Sequence, residues 1–262
     1  MPTTTEPTEP TETTEPTEAT APTGSADRDA GTTWARPVDR LEVGVLPPQA
    51  VNLNVSGRRL VGPVQGFGRL WQKTYRLTID DVAPRTVIAT WKAEFGSFWP
   101  KGNRFYGPLT GIAPGEVALL NLAAPGGQLL STGIMVIYAD AESFTFMTPE
   151  GHMFAAWITF SAEEAGPGST VQIQVLLRAN DPFYELMMAA GGHRKENEFW
   201  LATLGNLAAR FGQSGEPTLD QICVDRRRQW RRAANLQHNA AIRSGLWSMG
   251  HPIQTVRRLV NG

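Results

Sequence analysis

Cysteine is almost missing from this 262-residue chain: Cys223 stands alone, so no internal disulfide framework can form. Histidine is nearly as scarce, with four in all. No apolar run reaches the roughly 18 residues that a membrane-spanning helix needs. The N-terminus has neither the basic nor the apolar region of a secretory signal. A cytoplasmic protein is expected from these absences. Several catalytic signatures are lacking too. There is no G-x-S-x-G nucleophile elbow, no G-x-x-x-x-G-K-[ST] loop and no H-E-x-x-H helix. Gly66-Phe67-Gly68 lacks the third glycine of a dinucleotide fingerprint and precedes a strand pattern. No cofactor and no resident metal are expected.

Net charge is near balance at −1, yet the two ends of the chain oppose one another. Residues 1–30 carry five Glu and two Asp against Arg28, whereas residues 221–262 carry eight Arg against Asp225. The opening repeat "TTEPTEPTETTEPTEAT" spaces Glu6, Glu9, Glu12, Glu15 and Glu18 by three. It offers little apolar surface to offset ordering entropy, so residues 1–33 read as a disordered arm. Extended as polyproline II, with about three residues per turn, the repeat lines its glutamates along one edge. A solubilising tail is the simpler reading, an acidic binding arm the functional one.

Residues 34–59 form an irregular lead-in, in which "VNLNV" suggests a small hairpin. From Leu70 the periodicity sharpens. "LWQKTYRLTI" (70–79) alternates, with Trp71, Tyr75, Leu77 and Ile79 on one face, the pattern of a half-buried strand. "APRTVIATWKAEF" (83–95) places Val87, Ile88, Trp91 and Phe95 at helical spacing behind Pro84, a good first-turn residue. Five strands follow at 116–124, 128–140, 143–148, 152–161 and 169–179. Their connections are too short for crossover helices, so neighbours must be antiparallel. Residues 182–211 then repeat apolar positions as one long amphipathic helix. Unbroken, it would span on the order of 45 Å, so a bend at Gly191-Gly192 is expected. A second, basic helix is predicted over about 218–242, with Thr218 as its N-cap and Leu219, Ile222, Cys223 and Trp230 packing inward.

The expected fold class is α+β: a curled antiparallel sheet of six to seven strands gripping a long C-terminal helix, with an acidic arm before it and an Arg-rich helical extension over 213–262. That order resembles the helix-grip fold of the START/SRPBCC superfamily across roughly residues 60–212. The stretches "GRRLVGPVQGFGRLWQKTYR", "FWPKGNRFYGPLTGIAPGEVALLNL" and "FTFMTPEGHMFAAWITFS" are similar to an uncharacterised bacterial branch of that superfamily. The resemblance implies a ligand cavity between sheet and helix and carries no reaction with it. The superfamily usually has seven strands and two short helices after the first strand. This sequence shows six and one, leaving "FGSFWPKGNRFYG" (95–107) to supply a missing turn.

The implied function is binding, transport or sensing of a small hydrophobic molecule, the alternative being a cyclase- or dehydratase-type enzyme. Such a pocket needs an apolar wall with few polar groups. Trp71, Tyr75, Phe144, Phe146, Phe154, Ile158, Ile173, Val175 and Trp200 are the wall candidates, and Asn121 and Tyr138 the polar ones, with Arg104 and Tyr106 weaker. His152, at the start of a strand after the "TPEG" turn, is the acid–base candidate, set against a histidine bonded to turn backbone. Lys73 shares the apolar face of its strand and is read as a cation that snorkels to water rather than an anion anchor. His193 and Glu196 stand three apart among Arg194, Lys195, Asn197 and Glu198, which favours a solvated helix face. A third reading is an interaction protein. Arg226, Arg227 and Arg231, near Trp230, could meet an anionic surface or clamp the chain's own arm; no nucleic-acid partner is inferred.

Overall fold

A computed structural model describes residues 33–45, 49–108, 111–123 and 129–250. The acidic arm lies outside them. Strand β1 covers Leu60–Val61 and β2 Leu70–Ile79; helix α1 covers Pro84–Ala93. A 3-10 turn at Phe95–Phe98 leads to β3, Arg104–Tyr106. Strands β4 (Val117–Ala123), β5 (Leu129–Ala139), β6 (Ser143–Pro149), β7 (Phe154–Ala165) and β8 (Gly168–Ala179) follow. Helix α2 runs Pro182–Met187 and α3 His193–Arg210; β9 covers Thr218–Asp225, and α4 Ala240–Gly250. The sheet runs β3-β4-β5-β6-β7-β8-β2-β9, with β1 on β6. Every pairing is antiparallel. This is the expected α+β architecture, a curled sheet closed over a long helix, with nine strands among the described residues rather than six or seven.

Alternation decides which side chains meet. Phe160 stands opposite Phe144 and Ile173, and Ile158 opposite Phe146 and Val175, so these six share the inner face. Against that face lie Val87, Ile88 and Trp91 of α1 and Trp200, Leu204, Leu207 and Ala208 of α3, all buried in one core. The Gly191-Gly192 bend is present. Met188–Gly192 is a π-helical turn with Gly191 at φ 118°, a backbone region that only glycine adopts freely. Asp181 caps α2, accepting from the Tyr184 amide at 3.0 Å, while Pro182 occupies the first helical position.

The outer face is covered as well, by the two segments that flank the predicted grip. Leu41 and Val55 pack with Val117, Leu119 and Met135 in a second core. In place of a hairpin, "VNLNV" carries Asn54, which donates to Ser131 O at 2.8 Å and Ser244 Oγ at 3.1 Å. Arg243 Nε donates back to Asn54 Oδ1 at 2.9 Å, so the lead-in and α4 hold each other across β5.

Residues 218–225 correct the expected basic helix. They form β9, paired with β2 from Leu70↔Asp225 to Arg76↔Thr218. The free edge of β2 offers a row of backbone donors and acceptors, and β-branched Ile222 and Val224 suit a strand better than a helix. Leu219 and Cys223 are half-buried, but Ile222 and Trp230 are exposed rather than packed inward. Helical structure resumes in a 3-10 run at Trp230–His238 and in α4.

The C-terminal segment also passes close to the turn before β7. Gly151 has φ 86°, accepts from Ala240 N at 2.9 Å, and would put a Cβ 2.0 Å from His238 O. Gly151→Ala is therefore expected to destabilise by about 2 kcal/mol or more. Gly166→Ala, at φ 58° with nothing near its would-be Cβ, should show only the left-handed cost of roughly 1 kcal/mol. Urea unfolding of the two variants side by side measures the difference.

Candidate functional site

On the inner face of β2, the alternation that buries Tyr75 also buries Lys73, which is fully enclosed. The side chain does not snorkel to water. Its Nζ donates to Glu196 Oε2 at 2.6 Å and to Asn197 Oδ1 at 2.7 Å. The Tyr75 hydroxyl donates to the same amide oxygen at 2.9 Å. His193 tilts against Trp71 with ring centroids 5.0 Å apart. The first turn and a half of α3 is thus a polar lid on the β2 edge of an otherwise apolar interior. This corrects the solvated-face reading: Arg194, Lys195 and Glu198 are exposed, but Glu196 is buried and Asn197 and His193 half-buried.

Burial sets the electrostatics. It raises the Glu196 carboxyl above the usual range, outweighing the attraction of Lys73. It pushes the Tyr75 phenol up, with the Glu196 charge adding to the effect. His193 is lowered to about 4, first by burial and then by the charges of Lys73 and Arg69, so its ring is neutral at pH 7. Glu196 Oε1 and His193 Nδ1 are buried without a hydrogen-bond partner. The cluster can therefore bind one more hydrogen-bonding group. It does not amount to a metal cage: among the described residues no three His, Cys, Asp or Glu converge.

The wall candidates Phe144, Phe146, Phe154, Ile158, Ile173, Val175 and Trp200 are all buried in the inner core. Their rings pack on one another. Phe144 stacks on Phe160 at 4.7 Å, Trp91 meets Phe160 edge-on at 5.2 Å, and Trp200 meets it at 5.7 Å. Two hollows among the described residues lie elsewhere. One groove of about 700 Å³ runs beside Val38–Glu42 and Met135 on the outer face. Another of about 460 Å³ lies between Glu94, Trp99, Lys101 and Arg210.

Asn121 and Tyr138 sit on the opposite face from the grip, which corrects their placement in its wall. Asn121 is paired with Ser131 and lies 3.4 Å from the Tyr106 hydroxyl. Tyr138 is bonded to Asp140, and its ring is tilted against Trp34 with centroids 4.6 Å apart. A bulge after Val136 shifts the pairing of β5, so that Tyr138 stands opposite Thr145. Arg104 is exposed.

His152 is buried, and its Nδ1 accepts from the Phe154 amide at 3.0 Å, the turn-bonded arrangement. Burial lowers its pKa to about 4, against 6.5 for a free ring. The unfolded chain then binds a proton that the folded one refuses. Stability from this residue is complete above pH 6.5 and is lost as pH falls toward 4. The loss should approach roughly 3 kcal/mol. Urea titrations from pH 7 to pH 4 should show that slope, and His152→Gln should reduce it, leaving the part that belongs to His193.

Sequence reasoning assigned the wrong solvent to Lys73 and Glu196, although a usable signal existed. Glu196, Trp200, Thr203 and Leu207 follow one another by four, three and four along α3, and all four are buried. The carboxylate belongs to the core stripe, not to the charged run around it.

No family model matches the chain, and no curated protein matches it in sequence. Among solved structures it is similar to protein Ms6760 from Mycobacterium smegmatis, at 10% identity and TM-score 0.41, over 54% of this chain and 90% of that one. It is similar to the di-domain ARO/CYC StfQ from the steffimycin biosynthetic pathway, at 10% identity and TM-score 0.44, over 55% of this chain and 53% of that one. A third similar structure is Ara h 8.0201, at 13% identity and TM-score 0.37, over 53% of this chain and 99% of that one.

Proposed function

We propose that the protein binds a small amphipathic molecule inside the grip. The apolar body of the ligand lies against the aromatic rings, and its polar end meets Lys73, Glu196 and His193. One observation carries this reading: Glu196 Oε1 and His193 Nδ1 are buried and unpartnered beside a fully enclosed lysine. A buried polar atom left without a partner costs about 1–3 kcal/mol, and native proteins leave few of them. A ligand hydroxyl, amide or ammonium would remove that cost. The aromatic interior is closed around itself, so entry requires motion, and the π-helical turn at Met188–Gly192 supplies a hinge directly beneath the polar lid.

The test is native mass spectrometry of the purified full chain, then thermal shift against a panel of amphipathic alcohols, amides and amines. Binding should be lost in the Lys73→Met/Glu196→Leu double variant while the fold survives. If nothing co-purifies, and no compound shifts the wild type more than the variant, the reading is wrong.

The same two free atoms favour a second reading, proton transfer of the cyclase or dehydratase type. A neutral imidazole and a carboxylate of raised pKa on one helix face form an acid–base pair of matched reach. His193 and Glu196 then take the part that the sequence offered to His152, whose Nδ1 is engaged by Phe154. Loss of turnover in Glu196→Gln, with His152→Ala unaffected, is the expected pattern for an identified substrate.

A further inference from the structure

The C-terminal segment between β9 and α4 forms a basic ledge that neither the grip nor its polar cluster uses. Its backbone is fixed at several points. Gln229 N donates to Phe67 O at 2.7 Å, and Asn235 Nδ2 to Gln65 O at 3.0 Å. The buried Arg178 guanidinium donates to Arg227 O at 2.9 Å and to Asp225 Oδ2 at 2.6 Å. Two neighbouring carboxylates are already engaged, Asp225 by Arg178 and Arg227, and Glu185 by Arg228. Arg226 and Arg231 are exposed and make no ion pair among the described residues. Between them Trp230 is 74% exposed, held edge-on to Phe67 at 5.2 Å. Residues 225–232 carry five Arg and one Asp. A rigid shelf that presents an indole face and unpaired guanidinium groups suits a ligand that is both acidic and rich in proline.

We infer that this ledge binds the chain's own acidic repeat, residues 6–18. Pro7, Pro10 and Pro16 each follow a glutamate of the period-three series. In polyproline II form, at about 3.1 Å per residue, successive glutamates stand about 9 Å apart on one edge while the prolines fall on the next. Proline edges pack on aromatic platforms, and the glutamate edge faces Arg226 and Arg231. Fourteen residues, 19–32, connect the repeat to the described chain at Thr33. Extended, they reach about 45 Å, which exceeds the roughly 17 Å radius of gyration of a domain this size more than twofold. The tether holds the repeat at a local concentration on the order of millimolar. Exposed pairs that are individually weak are then enough to populate the contact. In that state the ledge is closed to other anions, and the opposite charges at the two ends of the sequence satisfy each other.

The experiment uses the full chain with a nitroxide on Thr14→Cys in a Cys223→Ser background, reading paramagnetic broadening of the Trp230 indole signal. Broadening is expected at low salt. It should fall about fivefold in the Arg226→Ala/Arg231→Ala variant, as loss of two exposed pairs implies, and likewise in 1 M salt, where the screening length is about 3 Å. Broadening that ignores both changes overturns the inference. So does broadening that appears only between chains in a mixture of spin-labelled and isotope-labelled protein. A second measurement uses phosphatidylserine vesicles. Replacing the five glutamates by glutamine should increase vesicle binding, because it uncovers the ledge. Equal vesicle binding with and without those glutamates means that the ledge serves lipid and the arm does not occupy it.

Discussion

Lys73→Met is expected to destabilise the protein by about 3–5 kcal/mol, because it strands the Glu196 carboxylate in a dry site. The side chains are of similar length, so packing changes little and the loss reads the charge. Three electrostatic partners are involved: Glu196 Oε2 at 2.6 Å, Asn197 Oδ1 at 2.7 Å and, through that amide, the Tyr75 hydroxyl. Removing both charges, in Lys73→Met/Glu196→Leu, should return most of the stability, since an apolar pair of similar volume is often as stable as a buried ion pair. The variant also predicts a pH dependence of definite sign. Glu196 without its lysine holds a proton more tightly when folded than when unfolded, so the defect shrinks as pH falls from 7.5 to 5. Urea unfolding of wild type, both single variants and the double variant at the two pH values gives the full cycle. A single-variant loss under about 0.5 kcal/mol, typical of surface changes, would mean that water already reaches the pair.

Phe160→Ala should cost about 3–5 kcal/mol. Phe160 meets five other rings, those of Trp91, Phe95, Phe144, Phe146 and Trp200, at centroid separations of 4.7–5.7 Å. Deleting it removes buried apolar area and leaves a void that rigid neighbours fill poorly. Phe160→Leu should cost less, about 1–2 kcal/mol, because most of the volume remains. The void in the alanine variant is apolar and should stay dry, so benzene or xenon should raise its melting temperature but not that of the wild type. A loss below about 1 kcal/mol would show instead that the ring already borders open space in the native protein, giving a ligand ready room.

These two sites illustrate what the sequence could and could not disclose. The buried inner face was legible because alternation in 143–148, 152–161 and 169–179 fixes which residues share a face, and the short turns fix which strands are neighbours. Phe144, Phe146, Ile158, Ile173 and Val175 therefore lie where the pattern puts them. The helix at 83–95 and the glycine bend were legible for similarly local reasons. Lys73 and Glu196 were not, since each was weighed by its immediate neighbours in sequence, whereas burial follows the face. Tyr138 changed sides because a bulge inserts a residue that no period-two count anticipates. Strand β9 was missed because its partner, β2, lies some 150 residues earlier, and an edge strand with polar residues at Asp220 and Gln221 carries only a weak pattern of its own. The expected N-cap at Thr218 was a plausible local signal overruled by that distant pairing.

The tie between Asn54 and the Arg243–Ser244 pair has a bearing on how the molecule comes into being. The outer layer over β5 joins positions nearly 190 apart. A nascent chain can assemble the gripping helix against its sheet while the ribosome is still translating, but must wait for residues 239–244 before that outer layer can lock. Until then the outer face of β5 lacks the cover that α4 lays over it. The interval between emergence of α3 and of α4 is thus the period when a newly made copy is most exposed to aggregation and to chaperones.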